Sequence, residues 1–240
     1  MVSLNLDETV SEALAHWKER NLPAPHALLL LGTGLGPLAQ SLSDVQRVPL
    51  HEIHGVPGAW QEVELVVGTV ESPEGACCLW LLEDAPGPLQ FGTGGGPERP
   101  AWERAFPVWL AAAAGARLLI HTSAGTALQD SHGLGSIAAV TDHINLSGGT
   151  PLLGLGPTQL GPLFPDQTQL HHAGLALVAE HRLAQLGAKL GRGIAACMQG
   201  PSGMTPAELD WLASTPAQLA IQNCAGPWIA AAHAGLSLLA

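Results

Sequence analysis

Short apolar runs alternate with amphipathic segments along this chain, and several of the runs lead into turns of small residues. Near the start, Val10, Leu14 and Trp17 share one helical face and predict an amphipathic helix. The next run, residues 27–31, is one alanine and four leucines, which is typical of a buried strand. It leads directly into residues 32–37, a glycine-rich turn.

The rest of the chain continues this pattern and is typical of an α/β protein. Residues 44–82 are rich in strand patterns, and the second half alternates strands with helices. Strands are predicted at 118–120, 137–140, 194–198 and 218–222, and helices at 38–42, 102–114, 166–186 and 228–234. Another helix should begin at Thr205-Pro206-Ala207-Glu208, which combines a capping box with proline at the first position.

Three of the predicted strands end in loops of small residues, at 32–36, 122–125 and 199–203. Ligands of open α/β sheets bind at the carboxyl ends of the strands. Small residues at those ends let backbone amides come close to a ligand. The pattern therefore predicts a small-molecule cleft built from three loops.

Composition narrows the class of ligand. The formal charge is −11, and Lys18 and Lys189 are the only lysines, so a nucleic-acid partner, which needs a basic face, is not expected. The same acidity requires any phosphate site to be locally positive. No apolar run is long enough to span a bilayer and no secretory signal is visible, so we expect a cytoplasmic protein with no membrane partner.

Taken singly, the remaining motifs carry little chemistry. The glycines at 32, 34 and 36 lack the last glycine of a dinucleotide fingerprint, since Pro37 stands there, and no P-loop lysine follows. The eleven histidines show no metal-ligand spacing, and the four cysteines are expected to be buried and reduced, so neither a metal nor a cofactor is expected. The pair His171-His172 should start a helix at the surface. A Ser-His-Asp triad using Asp142-His143 lacks a Gly-x-Ser-x-Gly elbow.

Taken together and in order, these segments resemble the trimeric purine nucleoside phosphorylases over about residues 26–239. The matches are Leu31–Gly36 (family LGSGLG), Gly75-Ala76-Cys77, Trp102 with Phe106-Pro107-Val108, Thr122–Gly125 (family TNAAG), Asp142–Leu146 (DHINL) and Gly200-Pro201-Ser202 (GPS). The spacing between the last two is specific to that family.

The resemblance implies a single nucleoside-phosphorylase-like domain over residues 1–240, with a mixed central β-sheet flanked by helices. It implies cleavage of a purine nucleoside by phosphate, and a homotrimer in which Trp60 and Trp109 are expected to be exposed contacts. The substrate-binding candidates that it places here are Thr33, Thr122, Ser123, Ala124, Gly125, Met204, Gln222 and Asn223.

The phosphate site departs from the family pattern. The family's PGHxGR segment aligns with residues 59–64, and its GRxH segment falls in residues 82–84 and the glycine-rich loop that follows. The arginine and histidine of each segment are lost, and Glu62, Glu64, Glu83 and Asp84 stand nearby in the sequence. A later family serine aligns with Asn223. Thr33 keeps a hydroxyl group, and Arg99 is the remaining cation in reach, so these two are weak phosphate candidates.

The base site departs as well. Met204 replaces the family's base-binding glutamate, and Gln222 replaces its methionine under the ribose. The family also uses a Thr-Asn pair on a strand past the last helix, which we expect to be absent because the sequence stops at Ala240.

Our leading interpretation is a purine-nucleoside-phosphorylase-related protein with degraded or altered catalysis that binds a purine base or nucleoside, and no catalytic residue is assigned. The alternatives are an active phosphorylase, or a nucleosidase that uses water, with a rearranged site, and an unrelated α/β hydrolase or binding module. Arg99 folded toward Thr33 would favour an active enzyme.

Overall fold

The computed structural model describes residues 5–32, 34–73, 75–84 and 100–240, which form two mixed sheets flanked by helices. The strands are β1 (Ala27–Leu31), β2 (Ser43–Pro49), β3 (Glu64–Ser72), β4 (Gly75–Glu83), β5 (Leu118–His121), β6 (Gly125–Ala127), β7 (Ile137–Asn145), β8 (Leu190–Met198), β9 (Leu219–Gln222) and β10 (Ser237–Leu239). The α-helices are α1 (Leu6–Glu19), α2 (Phe106–Ala114), α3 (Ala173–Gln185), α4 (Pro206–Ala213) and α5 (Ala225–His233), and 3-10 helices cover Gly36–Ser41, Leu50–Glu52 and Ala101–Ala105. The predicted α/β class is confirmed, with its strands divided between two sheets.

The strand order brings several carboxyl ends to the same edge of each sheet. The larger sheet runs β10-β5-β1-β4-β3-β2, with its first four strands parallel and the last two antiparallel to their neighbours. The smaller runs β6-β9-β8-β7, and β7, β8 and β9 are parallel. Val140 in β7 donates its backbone N–H to the carbonyl of Ala240, just past β10, at 2.9 Å, so the two sheets adjoin.

Tryptophan and leucine side chains dominate the core between the larger sheet and the helices. The indoles of Trp17 and Trp80 both donate to the carbonyl of Pro23, at 3.2 and 3.1 Å, which fixes the chain after α1. The expectation that Trp60 and Trp109 are exposed is wrong, because both are 0% exposed. Large aromatic side chains bury more apolar area than any others, and their N–H groups need partners once buried. Trp60 donates to the Glu103 carbonyl and Trp109 to His233 Nδ1.

Several element boundaries differ from those predicted. The helix predicted over 166–186 begins only at Ala173, because Leu170 and His172 bond to β10 through the Leu238 backbone. The helix predicted over 102–114 is a 3-10 turn followed by α2, and the short helix near 38–42 is also 3-10. A strand, β10, does follow the last helix, contrary to expectation. No helix in the described ranges is long and apolar enough to cross a bilayer.

Candidate functional site

Three parallel strands of the larger sheet, β4, β1 and β5, end side by side. The pairing of Leu31 with Glu83 and of Leu30 with His121 places Asp84, Gly32 and Thr122 next to one another just past the strands. Gly32 donates its N–H to Thr122 Oγ1 at 3.0 Å. A side chain at Gly32 would put its Cβ 3.0 Å from the Thr122 carbonyl oxygen, so glycine is required by this close approach.

The predicted loop of small residues, 122–125, follows β5 and joins the two sheets. Thr122 is half-buried, while Ser123 and Ala124 are exposed. Gly125 begins β6 and pairs with Ile221 of β9. The loop therefore lies beside the carboxyl end of β9, which ends at Gln222 and is followed by Asn223, so six of the eight substrate-binding candidates fall within this region.

Neutral amide groups hold the carboxyl ends of β8 and β9 together. Asn223 has a left-handed backbone, with φ of 61°, and its Oδ1 accepts from the Gly200 N–H at 2.9 Å. Gln222 donates from Nε2 to the Ser202 carbonyl at 2.5 Å. Met204, two residues after Ser202, is half-buried against an apolar cluster that includes Ala196, Leu212, Ala217 and Ala220.

A charged network occupies the other side of the strand ends, around Asp84. Arg104 donates from Nη1 to Asp84 Oδ1 at 2.5 Å, and His121 Nε2 lies 3.1 Å from Asp84 Oδ2. The Asp84 side chain is 9% exposed and that of Arg104 is 19% exposed. The carboxylate thus has a separate donor for each oxygen, and one of those donors is a full cation.

The tautomer of His121 follows from its second partner. The indole of Trp228 in α5 can only donate, and its Nε1 lies 2.9 Å from His121 Nδ1. His121 Nδ1 must therefore accept, which leaves the proton on Nε2 and directs it at Asp84. The guanidinium of Arg104 is steadied in turn by the face of Trp60, at 5.7 Å from the ring centre.

These partners decide the charge of Asp84. Burial by itself would raise the pKa of the carboxyl group, because a buried charge loses its hydration. The hydrogen bond from His121 and the positive charge of Arg104 outweigh that effect and hold the pKa of Asp84 well below its usual range. Asp84 is therefore a buried anion at neutral pH.

A pair of histidines extends this network towards the smaller sheet. His143 in β7 and His171 before α3 approach within 3.0 Å, between Nδ1 and Nε2, and both rings pack edge-on against Trp228. Burial lowers the pKa of His143, and burial together with the neighbouring His143 lowers that of His171 to about 4. The expectation that His171 lies at the surface is wrong, because it sits against Trp228, whereas His172 is exposed and caps α3.

The other acidic residues near the predicted phosphate site line a recess beside the turn after β1. Glu62, Glu64 and Glu83 line a recess of about 490 Å³ together with Arg47. Glu83 accepts from the Gly36 N–H at 2.9 Å, and Glu64 forms an ion pair with Arg47. Glu83 therefore stabilises the turn after β1, and Glu64 stabilises the pairing of β2 with β3.

No group of three histidine, cysteine, aspartate or glutamate side chains suited to hold a metal ion occurs within the described ranges. The four cysteines are free thiols. Burial raises the pKa of Cys224, beside Ser123 and Asp84, to about 12, and it also raises the pKa of Cys197. Thiols held protonated in this way are poor nucleophiles at neutral pH.

Two of the predicted site residues, Thr33 and Arg99, lie outside the described residues. The cation that contacts the strand ends in the described chain is Arg104, which the sequence analysis missed. Arg104 lies two residues past Trp102 and two before Phe106, inside a segment matched to the family only for its apolar residues. The adjacent charged residues Glu103 and Arg104 in an otherwise apolar segment were the available signal.

Comparisons with known proteins agree with this architecture. Residues 91–240 match the phosphorylase superfamily. The chain is 30% identical over 234 residues to purine nucleoside phosphorylase 1 of Bacillus subtilis, covering 95% of this chain and 82% of the relative. The chain belongs to the purine nucleoside phosphorylase family. Purine nucleoside phosphorylase 1 of Geobacillus stearothermophilus is 29% identical over 231 residues, covering 96% of this chain and 81% of the relative.

A solved structure shares the fold of this family member across its full length. The schistosoma purine nucleoside phosphorylase in complex with hypoxanthine superposes with a TM-score of 0.82 and 23% identity, covering 100% of this chain and 83% of the other. The chain is thus nucleoside-phosphorylase-like in fold and framework.

Proposed function

We propose that this protein binds a purine base or nucleoside at the strand ends and does not catalyse phosphorolysis at the rate of its family. The observation that carries the proposal is the buried Asp84 carboxylate. Its charge is matched by Arg104 and by the N–H of His121, so the positive charge at these strand ends is already neutralised.

A phosphate dianion entering this side of the cleft meets an ion pair rather than a free cation, because Arg104 is already bonded to Asp84. The attraction of Arg104 for phosphate is offset by the repulsion of the Asp84 carboxylate, which has the same sign of charge as phosphate. The chain's −11 formal charge adds repulsion over a longer range. Phosphate is therefore not expected to bind well enough to act as the nucleophile.

The other side of the cleft suits a flat neutral ligand. Ser123 and Ala124 are exposed after β5, and the amides of Gln222 and Asn223 stand after β9. Met204 adds a polarisable thioether, which makes favourable contacts with aromatic rings. The hydroxyl, amide and thioether groups in this region carry no charge, which matches a purine base or nucleoside.

The test is release of purine base from inosine and guanosine, measured with and without phosphate, together with thermal shift titrations using hypoxanthine, guanine and both nucleosides. We expect the purine ligands to raise Tm, because a ligand bound only to the native state stabilises it. Phosphate-dependent turnover of about 1 per second or faster, within the usual enzyme range, would contradict the proposal. Release of base without phosphate would instead identify a nucleosidase.

We also propose that the protein self-associates as a homotrimer, by analogy with the trimeric family. Its buried tryptophans cannot supply the contacts, but several large apolar side chains are exposed, namely Leu153, Phe164, Leu177, Val178 and Leu186. Exposed apolar groups of this size often mark protein contacts. Light scattering at micromolar concentration should give three times the 24.7 kDa chain mass, and a monomer mass would rule the trimer out.

A further inference from the structure

We propose that Asp84 sets the charge of the ligand accepted at the strand ends, because its carboxylate occupies a small oxyanion site built by Arg104 and His121. The side chain stands where a free anion such as phosphate would otherwise bind. This inference deepens the proposed function, on which it rests for the location of the cleft. It assigns to one residue the choice between a neutral and an anionic ligand.

The donors around Asp84 have the arrangement of an oxyanion site. Arg104 reaches one carboxylate oxygen from the 3-10 helix before α2, and His121 reaches the other from the end of β5. Two donors from separate elements, one of them cationic, converge on two oxygens of one planar group. Charge-assisted hydrogen bonds of this kind are the ones that bind carboxylates and phosphates.

Contacts other than Asp84 hold both donors in place. His121 is fixed by Trp228 through Nδ1, at 2.9 Å, and Trp228 itself is 1% exposed. Arg104 lies against the ring of Trp60, which is fully buried. Removal of the carboxylate therefore leaves a preorganised pair of donors rather than a collapsed one, and preorganisation lowers the cost of binding.

The ion pair is not completely sealed from solvent. The side chains of Arg104 and Asp84 are 19% and 9% exposed. Asp84 follows β4 directly, next to Gly32 and the loop that starts at Thr122. Truncating Asp84 to alanine frees the volume of a carboxylate beside that loop.

The experiment is a calorimetric titration of inorganic phosphate into the full chain at low ionic strength and neutral pH. The variants are Asp84→Ala and Asp84→Ser, each alone and combined with Arg104→Gln. Glu71→Gln is the matched control, since Glu71 is exposed, lies at the β3–β4 turn far from the cleft, and its substitution removes the same charge. The Asp84 variants should bind phosphate at least about tenfold more tightly than the wild type, because one like charge is removed and one cation is freed.

Each outcome decides the proposal. The added Arg104→Gln change should abolish the gain, and Glu71→Gln should behave as the wild type does. Should the Asp84 variants be poorly folded, phosphate must raise their Tm more than it raises that of the wild type. Folded variants without phosphate affinity, unstable variants that phosphate does not rescue, or a gain that survives loss of Arg104 would overturn the inference.

Failure of the proposed function gives a different result. In that case the wild-type protein itself binds phosphate and phosphorolyses inosine. If only the inference about Asp84 fails, the wild type still binds purines without phosphorolysis, but the Asp84 variants do not bind phosphate.

Discussion

Polar groups at the two sides of the candidate cleft are paired in different ways. At the ends of β4 and β5, full charges are present and are paired with one another, as in Asp84 with Arg104. At the ends of β8 and β9, the polar groups are amides that bond to backbone, as in Asn223 with Gly200. Among the described residues at these strand ends, charge is thus concentrated on the β4–β5 side of the candidate cleft.

The ion pair and the amide groups should therefore respond differently to substitution. A buried ion pair contributes little net stability compared with apolar packing, but removing one partner is costly because the other charge stays buried. Amide-to-backbone bonds are individually worth about 1 kcal/mol and tolerate change better. The charged side is therefore rigid and selective, and the neutral side can be altered with smaller effects.

The largest expected effect comes from Arg104→Gln. This change leaves Asp84 buried with only His121 as a donor, and we expect a loss of about 3 kcal/mol in the free energy of unfolding. Urea denaturation at pH 7 measures it. Arg47→Gln is the matched control, because the Arg47–Glu64 pair has side chains 57% and 43% exposed and should contribute under about 1 kcal/mol. Equal losses for the two variants would remove the distinction between the charged network and the surface.

The next effect concerns the histidine pair that links the two sides through Trp228. The groups facing His171 are His143, Asp142 and the Val140 carbonyl, and the pKa of His171 is lowered to about 4. In the unfolded chain a histidine takes up its proton near pH 6.5, so between pH 6.5 and 4 the unfolded state binds more protons. Stability should therefore fall as the pH drops through this window, by on the order of 2–3 kcal/mol.

Thermal unfolding from pH 7 to pH 4.5 checks this slope. Comparison with His171→Phe isolates the contribution of His171, since phenylalanine keeps a ring against Trp228 and does not titrate. The window stays above the region in which Asp84, whose pKa is lowered, begins to lose its stabilising charge. An identical pH slope in the variant would show that His171 is protonated as readily in the folded protein as in the unfolded one.

The sequence predicted the framework better than the site because framework positions obey periodicity. The leucine run of β1 and the capping box at Thr205 are local signals, and both were confirmed. Helix α3 begins seven residues later than predicted because the backbone of Leu170 and His172 is hydrogen-bonded to Leu238 of β10. This contact joins residues that are distant in sequence. Periodicity cannot detect such a contact.

The charged network was hidden for the same reason. Asp84, Arg104 and His121 come from three segments that meet only when β4 and β5 flank β1. The acidic character near residue 84 was visible in the sequence, but nothing in the sequence identified Arg104 as the partner of Asp84. Charge alone does not reveal a partner until the topology is known.

A smaller effect is expected on the neutral side at Asn223. Its left-handed backbone costs a residue with a Cβ about 1–2 kcal/mol unless its side chain compensates. Asn223→Ala loses both that tolerance and the acceptor for the Gly200 N–H, and should cost about 2 kcal/mol in urea denaturation. Asn223→Gly loses only the acceptor and should cost about 1 kcal/mol. A glycine variant less stable than the alanine variant would show that the backbone conformation is not the source of the cost.

The smallest change in stability, and the sharpest test of the neutral side, is at Met204. The side chain is half-buried against small apolar residues, so Met204→Ala should cost about 1 kcal/mol or less in unfolding free energy. Its effect on ligand binding should be larger in proportion, because a thioether contact with an aromatic ring contributes about 0.3–1.5 kcal/mol. Calorimetric titration with hypoxanthine should therefore show an affinity reduced severalfold in Met204→Ala. Met204→Leu, which keeps the volume without the sulfur, should have a hypoxanthine affinity between those of the alanine variant and the wild type.

Asp84→Ala is the control for this comparison. Since it changes the charged side alone, it should leave the hypoxanthine affinity nearly unaltered. If the purine affinity instead follows Asp84 and ignores Met204, the ligand lies on the charged side, and the division of the cleft into a charged and a neutral half is wrong.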